Sequence, residues 1–143
     1  MIGQTIGRYR IHEKLGEGGM GSVWLAEDPL LSRKTALKFI SPALGESSDA
    51  HRRFLREARA ACALTHSGIA TVYDAGEDQG RIYIAFEYVD GETVTDLVKG
   101  GPLSVDRAIG LVREVVAALG HAHASGILHR DEADRAKIGR AHV

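Results

Sequence analysis

The chain has 143 residues, 44% of them apolar, enough for one modest hydrophobic core and too few for two comfortable domains. Its 18 Lys and Arg stand against 19 Asp and Glu, a net charge of -1, so charge gives no reason to expect nucleic acid or an anionic membrane as partner. A single cysteine, Cys62, excludes an internal disulfide and a thiolate metal cluster, and fits a reducing, cytoplasmic setting.

In chain order, Met1-Ile2-Gly3-Gln4 lacks a basic segment followed by an apolar run, and glycine stands at position 3 rather than 2. Neither secretion nor N-myristoylation is therefore expected. Nowhere do about 18 apolar residues run together, as a membrane span requires, so any anchor is expected beyond Val143. Tyr9-Arg10-Ile11-His12, Val23-Trp24-Leu25-Ala26 and Thr35 to Ile40 read as three strands in two hairpins, separated by a glycine cluster and by the Asp28-Pro29 turn. Ser48 or Asp49 is a suitable N-cap for a helix in which Phe54, Leu55, Ala58, Ala61, Cys62 and Leu64 recur at helical spacing. The opposite face of that helix carries Arg52, Arg53, Arg56 and Arg59. Two further strands are expected at Ile69 to Tyr73 and Ile82 to Tyr88, joined by a turn rich in Gly, Asp and Gln.

Beyond Val89 to Gly91 the pattern becomes helical. Thr93 to Val98 suits a short helix, Gly100-Gly101-Pro102 breaks it, and Ser104 caps a long amphipathic one. Its expected buried stripe is Val105, Ala108, Ile109, Val112, Val115, Val116 and Leu119. No internal repeat or low-complexity segment occurs.

Leu15-Gly16-Glu17-Gly18-Gly19-Met20-Gly21-Ser22-Val23 contains G-x-G-x-x-G at Gly16, Gly18 and Gly21. Glycines let backbone approach phosphates without Cβ in the way, so alone the pattern suits a dinucleotide as well as ATP. A dinucleotide fold needs a helix straight after the last glycine, whereas Ser22-Val23-Trp24-Leu25-Ala26 is β-prone and supplies the extra Val23 of G-x-G-x-x-G-x-V. Ala36-Leu37-Lys38 stands in the next strand, its lysine seventeen residues after Gly21. The want of a helix after Gly21 disfavours a dinucleotide-dependent oxidoreductase.

On these residues the stretch from about Ile6 to Asp131 resembles bacterial serine/threonine protein kinases of the eukaryotic type. The resemblance implies an α+β, protein-kinase-like fold: a five-stranded antiparallel small lobe with one helix over residues 1–89, then a helical large lobe over 90–131, truncated at the catalytic loop. It further implies that Leu15, Val23 and Ala36 sandwich an adenine while Gly16 to Ser22 fold over the phosphates of ATP. Lys38 would hold the α- and β-phosphates, a role a compact ammonium suits. Glu57, in Arg53-Phe54-Leu55-Arg56-Glu57-Ala58, matches R-F-x-x-E-A and would fix Lys38 by opposite charge, the alternative being local pairing with Arg53 or Arg56. His66-Ser67-Gly68-Ile69 and Tyr73-Asp74-Ala75-Gly76 resemble H-P-N-I and Y-D-x-G, with structural rather than chemical roles. In Ile84 to Gly91, the carbonyl of Glu87 and the N–H of Val89 would read the adenine edge, and Phe86 would stand behind it as gatekeeper or as ordinary core.

Gly126-Ile127-Leu128-His129-Arg130-Asp131 matches G-I-x-H-R-D. The resemblance makes His129 a packing residue, Arg130 a partner of the activation segment, and Asp131 the group that orients the substrate hydroxyl and accepts its proton. His121 and His123 have no metal-ligand partners at suitable spacing and read as surface groups.

After Asp131 the pattern fails. The family's D-x-K-P-x-x-N has Ala133 and Ala136 at its lysine and asparagine positions, and no D-F-G follows. The ligands for Mg2+ are therefore missing, and phosphoryl transfer depends on that charge, so the chain as given is expected to be inactive. Ile138 to Val143 reads, in one frame, as the opening of a widely used sequencing adapter, so residues 132–143 are expected to be a non-family tail of artefactual origin. With the rest of the large lobe missing, the long helix is expected to expose its stripe and the fragment to aggregate or stay partly molten. The second reading is a non-catalytic, pseudokinase-like nucleotide-binding module, against which intact Lys38, Glu57 and Asp131 argue.

Overall fold

A computed structural model of the chain describes residues 1–18, 21–40 and 48–127, without the side chains of Ser48, Ala50, Arg53 and Glu57. Its strands are β1 (Thr5–Ile6), β2 (Tyr9–Gly18), β3 (Gly21–Asp28), β4 (Arg33–Ile40), β5 (Val72–Asp78) and β6 (Arg81–Glu87). The helices are α1 (Ser48–Cys62), α2 (Val94–Lys99) and α3 (Val105–Ala124). Two compact units result, one of residues 1–63 and 72–88, the other of 64–71 and 89–143.

The first unit is one antiparallel sheet in the order β1-β2-β3-β4-β6-β5. Five long strands form it as expected, and β1 adds a two-residue edge that no sequence pattern announced. Local chemistry sets the turns. Gln79 and Gly80 both have positive φ, the backbone that a two-residue hairpin needs to match strand twist. At the end of β3, Asp28 Oδ1 accepts from the N–H groups of Leu30 and Leu31 at 3.0 and 3.3 Å, fixing the turn into β4. Burying that carboxylate costs free energy unless it is balanced. Arg8 Nε lies 3.0 Å from Oδ2, an approach that balances charge without hydrogen-bond alignment.

Period-2 alternation divides β4 between two faces. Thr35, Leu37 and Phe39 are buried, and Leu37 and Phe39 join Ile6, Tyr9, Ile11, Ala26, Tyr83 and Ala85 in the larger core. Tyr9 and Tyr83 meet edge to face with centroids 5.9 Å apart. Tyr9 Oη donates to Asp74 Oδ2 and accepts from Arg8 Nη2, both at 3.3 Å. Burial and, next, the Asp74 carboxylate push the Tyr9 hydroxyl up to about 12, with Arg8 opposing. Gly7 N–H donates to Asp78 Oδ2 at 2.8 Å, tying the β1–β2 turn to the β5–β6 hairpin. A Cβ on Gly7 would lie 2.5 Å from Tyr83 Oη, and on Gly76 2.8 Å, so a side chain at either position would have to displace the Tyr83 ring.

The opposite face receives α1. Ala58 is buried with Val72 and Ile84, and Phe54, Ala61, Ala75 and Phe86 pack around them. Two residues of the expected helical stripe are placed otherwise: Cys62 is exposed, and Leu64 lies beyond the helix in the second unit. The strand expected at Ile69 to Tyr73 also shifts. It begins at Val72 and runs through Asp74-Ala75-Gly76-Glu77-Asp78, because β6 offers those residues a ladder that their turn-like composition does not reveal. Ile69 instead serves the second unit's core.

In the second unit, Thr93 caps α2 by accepting from Asp96 N–H and donating to Asp96 Oδ2. Ser104 caps α3 by accepting from Arg107 N–H at 3.2 Å. The helix ends in a Schellman motif: Gly126, with φ 79, donates to His123 O and Ile127 N–H donates to Ala122 O. Ala118 and Ala122 pack with Leu64, Ile69 and Ile127, and the rings of His66 and His121 lie 5.1 Å apart. The expected stripe is only partly right: Ala108, Val115 and Leu119 are half-buried beside Ala118 and Ala122, whereas Val105 is 74% exposed, Val112 and Val116 60%, and Ile109 46%. Among the described residues, no helix is long and apolar enough to cross a membrane.

Candidate functional site

Opposed residues of an antiparallel pair point to the same face, so register sorts the candidate residues without further assumption. Val23 is opposite Gly16 on β2 and Lys38 on β4, and Lys38 is opposite Ile84 on β6. Ile84 packs on Ala58 of α1, so this row lies on the α1 side of the sheet. One row further on, Leu25, Ala36 and Phe86 are aligned on the same face. Val23, Ala36 and Lys38 are thus brought together, half-buried and flanked by aliphatic side chains.

The glycine hairpin closes just above that row. Gly18 is opposite Gly21, leaving a two-residue connection, and Gly21 has φ 129, a conformation only glycine adopts readily. Gly16 has open space where a Cβ would stand, with nothing within 4 Å. Leu15 is half-buried at a register irregularity between Lys14 and Gly16. Glu17 and Ser22, opposite one another, fall on the other face, so only their backbones are available to the Lys38 side. Gly19 and Met20 lie outside the described residues.

Glu57 belongs to α1, immediately before buried Ala58; its side chain is outside the description. Glu87 ends β6 opposite Thr35, and the chain passes from the first unit to the second between Tyr88 and Val89. His129, Arg130 and Asp131 lie outside the described residues. Tyr73 to Gly76 has the structural surroundings expected of it, with Asp74 accepting from Tyr9 and Gly76 against the Tyr83 ring. Among the described residues, no three of His, Cys, Asp or Glu are grouped so as to hold a metal ion. In the sequence Trp24 and Lys14 carry no functional signal, since a lone aromatic and a lone lysine in strands look ordinary. Their pairing across the hairpin is visible only in the register.

The protein kinase domain family matches residues 9–132. Among named relatives, the serine/threonine-protein kinase PknJ of Mycobacterium tuberculosis is 40% identical over 129 residues, 90% of this chain and 22% of its own length. The serine/threonine-protein kinase PrkC of Bacillus subtilis is 41% identical over 133 residues, 92% of this chain and 20% of its own. The crystal structure of the M. tuberculosis PknI kinase domain superposes with a TM-score of 0.86 at 34% identity, covering all of this chain and 59% of that one. The chain therefore spans about a fifth of the length of the curated relatives it matches. Sequence match and three-dimensional likeness fall on the same stretch, and the chain belongs to the protein kinase domain family as the N-terminal part of a kinase domain of the bacterial serine/threonine type.

Proposed function

We propose that this chain is the ATP-binding part of a protein serine/threonine kinase, whose complete form transfers the γ-phosphoryl group of ATP to a protein hydroxyl. The observation that carries the reading is the Val23, Lys38 and Ile84 row, set on the α1 face directly below a glycine hairpin. Apolar Val23 and Ala36 suit the face of a purine, and a half-buried ammonium suits clustered phosphate oxygens. The positive φ of Gly21 and the open space at Gly16 suit close backbone approach to those phosphates. Leu15 would complete the adenine sandwich, Glu57 would hold Lys38, and the main chain at Glu87 and Val89 would meet the adenine edge. Residues 1–89 and 90–131 are proposed as the small lobe and the start of the large one.

Magnesium does not fit the residues present, since Ala136 occupies the family's metal-binding asparagine position and offers no oxygen ligand. No transfer step is assigned to this chain, and Asp131 would orient a hydroxyl only where those groups are supplied. We propose that residues 132–143 are a non-family tail and that the complete protein acts in the cytoplasm on a protein substrate.

Calorimetric titration tests the binding. ATP should bind the chain and NAD should not compete, and Lys38→Met should weaken ATP at least tenfold. Equal binding by Lys38→Met, or displacement by NAD, would overturn the reading. Sequencing the gene through the codons for Asp131 to Val143 decides between the two forms. Continuation into K-P-x-x-N and D-F-G supports an active parent, while an authentic stop after Val143 supports a non-catalytic nucleotide-binding module.

A further inference from the structure

The face opposite Lys38 carries a closed set of contacts around the same glycine hairpin. Ser22 and Trp24, two residues apart on β3, share that face, and Trp24 Nε1 donates to Ser22 Oγ at 2.9 Å. Lys14 stands opposite Trp24, its Nζ 5.6 Å from the centre of the indole ring. Glu17 stands opposite Ser22 and pairs with Lys14. The four residues therefore run Glu17, Lys14, Trp24, Ser22 around the hairpin and return to Glu17 through the ladder.

This belt spans the irregularity between Lys14 and Gly16. A bulge leaves a residue without its ladder partner and frees the strand to bend, here at Leu15 and next to the first glycine of the loop. Glu17 and Lys14 lie on either side of it, so their ion pair limits that bend. Trp24 extends the restraint inward, being opposite Leu37 and packed against the larger core. Val23, between Ser22 and Trp24, must point to the Lys38 face when its neighbours point away. Whatever holds Ser22 and Trp24 therefore also holds Val23 above Lys38.

We propose that Trp24 is a positioning residue for the nucleotide: through Ser22, Lys14 and Glu17 it holds the glycine hairpin at the height ATP requires, without touching ATP itself. The inference rests on the nucleotide reading of the Lys38 face. Pre-ordering a loop raises affinity by removing its ordering cost from the binding step. Loosening the belt should therefore weaken ATP while leaving the fold in place.

Trp24 is the only tryptophan, so its fluorescence reports its own surroundings. The test titrates ATP into the unaltered chain, Ser22→Ala and Trp24→Phe, following heat for all three and emission for the two that keep Trp24. Trp24→Phe retains the aromatic body, so it preserves packing against the core while deleting the N–H. Each variant should bind ATP about two- to tenfold more weakly, the worth of one neutral hydrogen bond. Combining them should weaken ATP no further, because both delete the same bond. Emission of the free protein should shift in Ser22→Ala, and ATP should change emission in the unaltered chain. Unchanged affinity in both variants beside a binding unaltered chain would overturn this inference alone, as would additive losses in the double variant. Absence of ATP binding to the unaltered chain would overturn the nucleotide reading and this inference with it.

Discussion

The sheet of the first unit and helix α3 of the second both present apolar stripes at the right period, yet only the sheet has both faces engaged. One face of the sheet is sealed by Tyr9, Ile11, Ala26, Tyr83 and Ala85, and the other receives α1 on β5 and β6. In α3, Ala118 and Ala122 are buried while Val105, Ile109, Val112 and Val116 face solvent. Periodicity identifies which side chains share a face, but not whether anything covers it. An antiparallel hairpin brings its own partner through a two-residue turn, whereas a helix must wait for distant chain.

Truncation experiments sharpen that contrast. The largest effect is expected for Leu37→Ala, which removes a fully buried side chain from the sheet core and should lower stability by about 2–5 kcal/mol in urea unfolding. A loss below about 1 kcal/mol would mean that this core is loosely packed. Next, Gly7→Ala adds a Cβ at φ 58 directly against Tyr83 Oη and should cost about 1–3 kcal/mol. Retention of full stability would show that the Tyr83 ring gives way, breaking the picture of a tightly closed face.

A further loss is expected at high pH, where Tyr9 gives up its proton. Folding keeps the proton on Tyr9 up to about 12, above the ordinary value of 10.0. Its contribution is therefore complete below pH 10 and is lost as pH rises toward 12. Burial, Asp74 and Asp78 raise Tyr83 as well, so Tyr9→Phe should reduce but not abolish this alkaline instability, measured by urea unfolding across the pH range. The smallest effect belongs to Val112→Ser on the uncovered stripe, which should change stability by no more than about 0.5 kcal/mol and improve solubility. A loss like that of Leu37→Ala would show the stripe to be covered in solution.

Much of this was legible beforehand. Thr35 to Ile40 could be read as a strand between turn residues, and Ser104 caps the helix its chemistry suggested. The glycine motif and Lys38 were recognisable because residue type and spacing are themselves the signal. Other features were not. β1 is two residues long and owes its existence to pairing with β2, which leaves no periodic trace. Asp74 to Asp78 has the composition of a turn, yet forms a strand once β6 supplies its hydrogen bonds. Cys62 fits the helical spacing of α1 but falls on its solvent side.

By itself the sequence determined the succession of elements, the turns and caps, and the presence of a glycine loop followed by a strand lysine, because these follow from backbone preferences acting over a few residues. The tertiary structure alone decided that Val23, Lys38 and Ile84 share a row, that Ser22 and Trp24 lie behind it, and that Tyr83 lies against the glycines at positions 7 and 76. Each of those outcomes depends on ladder register and on contact between distant strands, which local preference does not encode.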